Sequence, residues 1–303
     1  MQPNVKKVAA IHDLSGFGRA SLTTIIPTLS SMSVQVCPVP TAILSTHSGG
    51  FTNYSFTDLT DSMPAYIDHW KSLDLTFDGI YSGFLGSPQQ TEIVSQIIKD
   101  FAVKDGKKNG KTIPYMHNTL VVVDPVMGDD GHLYRSVNPL MIPHMRKLIQ
   151  QADIIVPNIT EACLLLDCDI PQTLGREETK SMLKRLSDLG PDSVVITSLP
   201  DEEQGAHLCT AAYQRETDSY WRIVSDALPG SYPGTGDTFA SVMIGSLLKG
   251  ESLPVSIDRA TQFIAQCINA SRGYDYPHRD GILLERELYL LREPWTISCY
   301  EEL

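Results

Sequence analysis

No apolar run in the 303-residue sequence is long enough to span a bilayer, and lysine and arginine form no basic stripe. The formal net charge is -12, from 36 acidic against 24 basic side chains. That balance argues against nucleic acid or an anionic membrane as partner. It leaves room for a nucleotide, because a divalent cation and a few main-chain amides hold phosphates locally. Cysteine is scarce. Cys37, Cys163, Cys168, Cys209, Cys267 and Cys299 form no C-x-x-C pair, so neither a disulfide framework nor a zinc site is expected. They read as thiols of a reducing cytoplasm. The opening residues, MQPNVKKVAAIHD, lack the apolar centre of a signal peptide, and a cytoplasmic location is expected. Linker composition, low-complexity runs and internal repeats are also missing, so residues 1–303 are expected to form one domain.

What is present is an alternation. Short Val/Ile-rich runs predict strands over Val5–Ile11, Val34–Val39, Asp78–Ser82, Leu120–Asp124, Asp153–Pro157 and Ser193–Ser198. Helical periodicity lies between them, over Ala20–Met32, Leu59–Ser72, Gln89–Val103, Asn138–Gln150, Thr160–Leu166 and Glu177–Leu189. This order predicts an α/β fold, a mostly parallel central sheet with helices on both faces. Ala206–Tyr213 and Ser219–Ser225 alternate in polarity and predict an antiparallel edge hairpin. Helices over Asp237–Lys249, Pro254–Ser271 and Ile282–Leu291 complete the fold, and Val103–Thr112 is expected to be a solvated loop.

In such a sheet ligands bind beyond the carboxyl ends of the strands. Polar and glycine-containing segments follow six strands: His12–Arg19, Ser45–Phe51, Ser82–Gly86, Asp124–Asp130, Pro157–Glu161 and Thr197–Ser198. Some apparent motifs do not hold. Gly16-x-Gly18-x-x-Ser21 ends in serine, and no acidic residue closes the second strand to take a ribose. Gly110-Lys111-Thr112 has Asp105 where a phosphate loop needs its first glycine. His278-Arg279-Asp280 stands without the other parts of a protein-kinase signature.

The most informative stretch is Val224–Gly250. A polar loop over Pro229–Gly236 runs into an apolar helix, ending in Gly234-Thr235-Gly236-Asp237. Unpaired amides and the positive end of the helix dipole make that point an anion site. An aspartate would repel a phosphate there, so its use is to take a proton from a hydroxyl attacking phosphorus. The alternative is a plain helix cap.

Several segments together resemble the ribokinase-like superfamily and, within it, the pyridoxal (vitamin B6) kinases. They are Ser82-Gly83-Phe84-Leu85-Gly86-Ser87, Asp124-Pro125-Val126-Met127-Gly128, Ala152–Asn158 with Glu161, Val195–Ser198 and Gly234–Asp237. The resemblance covers nearly the whole chain and implies a three-layer αβα sandwich. It implies ATP-dependent transfer of a phosphoryl group to the 5′-hydroxymethyl of pyridoxal, pyridoxamine or pyridoxine, with Mg2+ and commonly as a homodimer. K+ is the candidate where a monovalent cation is needed. By the same resemblance Asp237 is the catalytic base, and Gly234, Thr235 and Gly236 form the anion hole. Asn158, Tyr134, Thr197 and Ser198 match nucleotide-side positions, and Glu161 and Asp124 match the metal region. Asp13, His47, Ser48 and Phe84 match positions around the acceptor ring. Several pyridoxal kinases carry serine where this chain has Asp13; a carboxylate there either hydrogen-bonds the ring or favours a cationic amine, and some bias toward the amine vitamer is expected. For Glu161 a capping-box role after Asn158 is the structural alternative.

The nearest rival is hydroxymethylpyrimidine kinase of thiamine synthesis, whose acceptor ring has a similar size. A sugar kinase fits less well, because no β-lid insertion is visible after the first strand. A non-catalytic nucleotide sensor would have no use for Asp237, and a dehydrogenase lacks its acidic ribose partner.

Overall fold

Val8-Ala9-Ala10-Ile11 is apolar at every position because both faces of its strand are covered. Ala9 and Ile11 enter one core, and Val8 and Ala10 enter the other. The computed structural model describes residues 5–108, 111–112, 118–200, 207–226, 232–292 and 298–303. The N-terminal part runs β1 (Lys6–Phe17), α1 (Leu22–Ser31), β2 (Val34–Thr46), β3 (Phe56–Asp58), α2 (Met63–Ser72), β4 (Gly79–Ser82) and α3 (Pro88–Phe101). A ribbon of β5 (Lys107–Lys108) and β6 (Lys111–Thr112) precedes β7 (Leu120–Val123), and a second ribbon joins β8 (Gly128–Asp129) to β9 (His132–Leu133). Then come α4 (Met141–Leu148), β10 (Ile154–Ile155), α5 (Ile159–Leu166), α6 (Arg176–Asp188), β11 (Ser193–Pro200), β12 (His207–Gln214) and β13 (Ser219–Asp226). The chain closes with α7 (Thr235–Leu248), α8 (Leu253–Arg272) and β14 (Tyr300–Glu302).

One sheet holds ten strands in the order β14-β13-β12-β11-β10-β7-β4-β1-β2-β3. The six from β11 to β2 pair in parallel, and the strands outside them pair antiparallel. Side chains of α2 to α6 form the core on one face, and those of α1, α7 and α8 form the core on the other. The fold is therefore the expected αβα sandwich, with its antiparallel hairpin at β12–β13. Among the described residues, no helix is long and apolar enough to cross a membrane.

Local expectations needed correction. β1 and β2 continue together past Ile11 and Val39 to Phe17 and Thr46, crossing a register shift between His12 and Leu14. β3 adds to this projection, so a small β-extension does follow the first strand. Polar residues after Ile11 obscured it, since the projecting pair has no helix over both faces. β14 pairs with β13, so the hairpin is not the outermost element. The stretch Ile282–Leu291 forms short 3-10 turns, Leu284–Arg286 and Leu288–Arg292, instead of a helix. Part of the expected loop Val103–Thr112 pairs as the β5–β6 ribbon, and Gly110 lies outside the described residues. The lead-in over Pro229–Gly236 and the first hairpin residue, Ala206, also fall partly or wholly outside them.

Candidate active site

Adjacent parallel strands end on one rim, tied by main-chain bonds. Gly83 N donates to Ile11 O (3.0 Å), Asp124 N to Ser82 O (2.8 Å), Val156 N to Val123 O (3.1 Å) and Thr197 N to Pro157 O (3.0 Å). These bonds bring the segments after β1, β4, β7, β10 and β11 side by side, as a parallel sheet requires. The N-terminus of α7 faces the same rim. Gly234, its N-cap, has φ +78°, and a Cβ there would lie 2.1 Å from Arg19 O, so only glycine serves. The first helical bond runs from Thr238 N to Gly234 O, leaving the amides of Thr235, Gly236 and Asp237 without an intrahelical acceptor. A Cβ on Gly236 would meet nothing within 4 Å.

Asp237 anchors the centre. Its Oδ2 accepts from Ser21 N at 2.6 Å, and its Oδ1 lies 3.0 Å from His12 Nε2. The other ring nitrogen of His12, Nδ1, lies 3.3 Å from Asp13 Oδ1. Asp13 also accepts from Ser21 Oγ (2.5 Å) and Ser15 Oγ (3.0 Å). Ser21 holds a strained backbone with φ 56°, over-determined by bonds to two carboxylates. Burial works against charge on His12, but Asp237 and Asp13 prevail and push its pKa up to about 10. Burial opposes ionisation of Asp13 too, yet His12 and the two serines hold its carboxyl below the usual range. The Asp13 carboxylate is thus engaged inside the protein, by His12, Ser15 and Ser21.

Gly83 makes this arrangement possible. A Cβ there would stand 1.7 Å from His12 Nε2, so the imidazole occupies the volume of the missing side chain. Phe84 N lies over the ring, 3.3 Å from each nitrogen. The Phe84 side chain is largely core, with 9% exposure, and so presents little more than an edge to the rim.

On the neighbouring strands Asn158 caps α5. Its Oδ1 accepts from Glu161 N, and its Nδ2 donates to Gly128 O (2.8 Å). Glu161 closes the capping box by accepting from Asn158 N at 2.9 Å, and its Oε1 accepts from Met127 N at 3.0 Å. The capping alternative is therefore realised, and Glu161 does more than cap, since it also fixes the turn before β8. Asp124 differs: among the described residues no hydrogen bond reaches its buried carboxylate. Burial and then the Asp237 charge push its pKa up to about 7. Burial and then Asp124 raise that of Glu161. Two buried carboxylates whose pKa values are both raised, one with no hydrogen bond among the described residues, suit an oxygen-seeking divalent cation such as Mg2+. Among the described residues no group of three or more His, Cys, Asp or Glu is arranged to hold a metal ion.

The remaining candidates are dispersed. His47 pins its loop to the turn near residue 279, its Nε2 2.7 Å from Arg279 O, and its Nδ1 accepts from Gly49 N at 3.1 Å. Burial holds its pKa below the usual imidazole range, matching a neutral ring. Ser48 is exposed beside it. Tyr134 is half-buried, and burial with the Glu161 charge keeps its phenol protonated. Thr197 bridges to Asn158, and Ser198 takes φ 58° at the register shift between β11 and β12. Such strain in a strand end is common next to binding sites. His12, Ser15, Ser21 and Gly83 were not expected as site residues. A histidine at the end of a buried strand, directly before an aspartate, was the available signal.

Residues 107–281 match the family described as phosphomethylpyrimidine kinase. The chain belongs to that family. Together with its kinase relatives, this membership makes it an ATP-dependent small-molecule kinase on the ribokinase-like fold. It is similar to a protein of Bacteroides thetaiotaomicron assigned to the phosphomethylpyrimidine kinases and crystallised with pyridoxal. The two share 49% identity, covering 99% of this chain and 100% of that one, with a TM-score of 0.91. It is also similar to pyridoxal kinase from Lactobacillus plantarum (29% identity, 95% and 97% covered, TM-score 0.81). The pyridoxine/pyridoxal/pyridoxamine kinase of Bordetella avium shares 25% identity over 90% of this chain and 88% of its own length.

Proposed function

We propose that this kinase phosphorylates the 5′-hydroxymethyl group of B6 vitamers at the expense of ATP. The observation that carries the reading is Asp237, held by Ser21 and His12 in the first turn of a helix whose leading amides have no intrahelical acceptor. The acceptor hydroxyl gives its proton to the Asp237 carboxylate while its oxygen bonds to the γ-phosphorus. The bond from that phosphorus to the β–γ bridging oxygen breaks, and ADP leaves. The amides of Thr235, Gly236 and Asp237 stabilise charge on the transferring group. Thr197, Ser198 and Tyr134 lie on the nucleotide side, and His47, Ser48 and Phe84 on the ring side. Asp124 would hold Mg2+ directly, and Glu161, already anchored to main-chain amides, would act through water. Bound there, Mg2+ would neutralise phosphate charge.

Pyridoxal in the related Bacteroides protein supports the B6 reading. A second reading, hydroxymethylpyrimidine phosphorylation, is favoured by the family description and by 29% identity over 202 residues to the thiamine biosynthetic bifunctional enzyme of Arabidopsis thaliana. Steady-state ADP release with pyridoxal, pyridoxamine, pyridoxine, hydroxymethylpyrimidine and ribose decides between them. The highest kcat/KM is expected with a B6 vitamer, and a clear preference for the pyrimidine would refute the proposal. The reaction is placed in the cytoplasm, where six free thiols persist. The homodimer belongs to the same proposal, with light scattering as its check.

A further inference from the structure

His12 is the group the family chemistry leaves without a task. It is 1% exposed, it lies within the buried part of β1, and each ring nitrogen faces a carboxylate. A neutral imidazole carries one N–H and one lone pair. With Asp13 on one side and Asp237 on the other, a neutral ring would turn its lone pair toward an anionic oxygen about 3 Å away, which is repulsive. Only the doubly protonated ring donates to both. We propose that His12 is a positioning residue for Asp237: an imidazolium clamped between two carboxylates, it holds the Asp237 side chain in place.

The surroundings explain the need. Tyr81 of β4 packs edge-on against the His12 ring, with centroids 5.9 Å apart, and Asp124 after β7 adds a further buried acid beside Asp237. The metal and nucleotide come and go during turnover, whereas His12 is built into the strand. Gly83 supplies its space and Ser21 holds the other oxygen of Asp237.

The inference rests on Asp237 being the base, and the experiment separates the two. kcat is measured against pH for wild type, His12→Gln and Asp237→Asn, using the acceptor that wild type turns over. His12→Gln is expected to lower kcat roughly 10- to 100-fold, the worth of one charge-assisted hydrogen bond. The KM for ATP is expected to stay within about twofold. In 15N-histidine NMR of the wild-type protein, one imidazole is expected to keep both ring nitrogens protonated at pH 8.5, above the ordinary value of about 6.5. Unchanged kcat in His12→Gln would overturn the assignment. So would histidines that are all neutral at pH 8.5, a result that needs no variant to fold. If Asp237→Asn retained full kcat, the base reading itself would fall.

Discussion

Replacing Gly83 by alanine puts a methyl group 1.7 Å from His12 Nε2, 2.1 Å from Cδ2 and 2.6 Å from Cε1. Carbon contacts settle at about 3.5–4.0 Å, so the ring would have to retreat by roughly 2 Å. It has nowhere to go without losing a partner, since its nitrogens lie 3.3 Å from Asp13 and 3.0 Å from Asp237 and its edge packs on Tyr81. Overpacking of this kind costs about 1–3 kcal/mol. At about 2–4 °C per kcal/mol for a long chain, Tm should fall by roughly 2–12 °C. Loss of the His12–Asp237 hydrogen bond, worth about 1.5–3 kcal/mol, corresponds to a kcat lower by roughly 10- to 150-fold. A coupled ADP-release assay and a thermal melt read both effects. Gly236→Ala is the contrast, because its methyl meets nothing within 4 Å. It should keep the wild-type Tm and lose turnover, by intruding where the transferred group sits. Wild-type Tm and kcat in Gly83→Ala would show that the ring is free to move, and the steric reasoning would be refuted.

Asp237→Asn should reduce kcat about 10²–10⁴-fold while ATP affinity, followed by calorimetry, is retained; near-normal turnover would rule out Asp237 as base. Asp13→Ser should leave the ratio of kcat/KM for pyridoxamine over pyridoxal unchanged, because the Asp13 carboxylate is bonded to His12, Ser15 and Ser21. A shifted ratio would return Asp13 to the acceptor side. Asp124→Asn should raise the Mg2+ concentration for half-maximal activity, since it removes the buried carboxylate that no described hydrogen bond occupies; an unaltered Mg2+ titration would count against it. For stability, His12 binds its proton more tightly in the folded state, with a value near 10 against about 6.5 when unfolded. Its contribution is fully present below about pH 6.5 and is lost as pH rises through about 10. The Tm advantage of wild type over His12→Gln should therefore narrow from pH 6 to pH 10, and a constant gap would contradict the ion-pair account.

The layer architecture was legible in the sequence because burial on both faces leaves a local mark. Runs such as Leu120–Val123 and Ser193–Ile196 need no partner to be recognised as covered strands. The loop ending in Gly234–Asp237 was legible for a similar reason: a positive-φ cap and a free helix end are set by neighbours in sequence. The projection of β1, β2 and β3 was not, since its pairing depends on contacts between separate segments of the chain, such as Phe17 with Thr46 and Leu44 with Phe56. The partners of Asp237 were likewise decided by tertiary structure alone. His12 and Ser21 lie more than two hundred positions from Asp237, and only the parallel register of β1 beside β4, with α1 and α7 packed on one face, brings them together. Which way Asp13 points follows from the same packing. Sequence identifies a carboxylate, but only the folded chain supplies the imidazole and two hydroxyls that turn it inward.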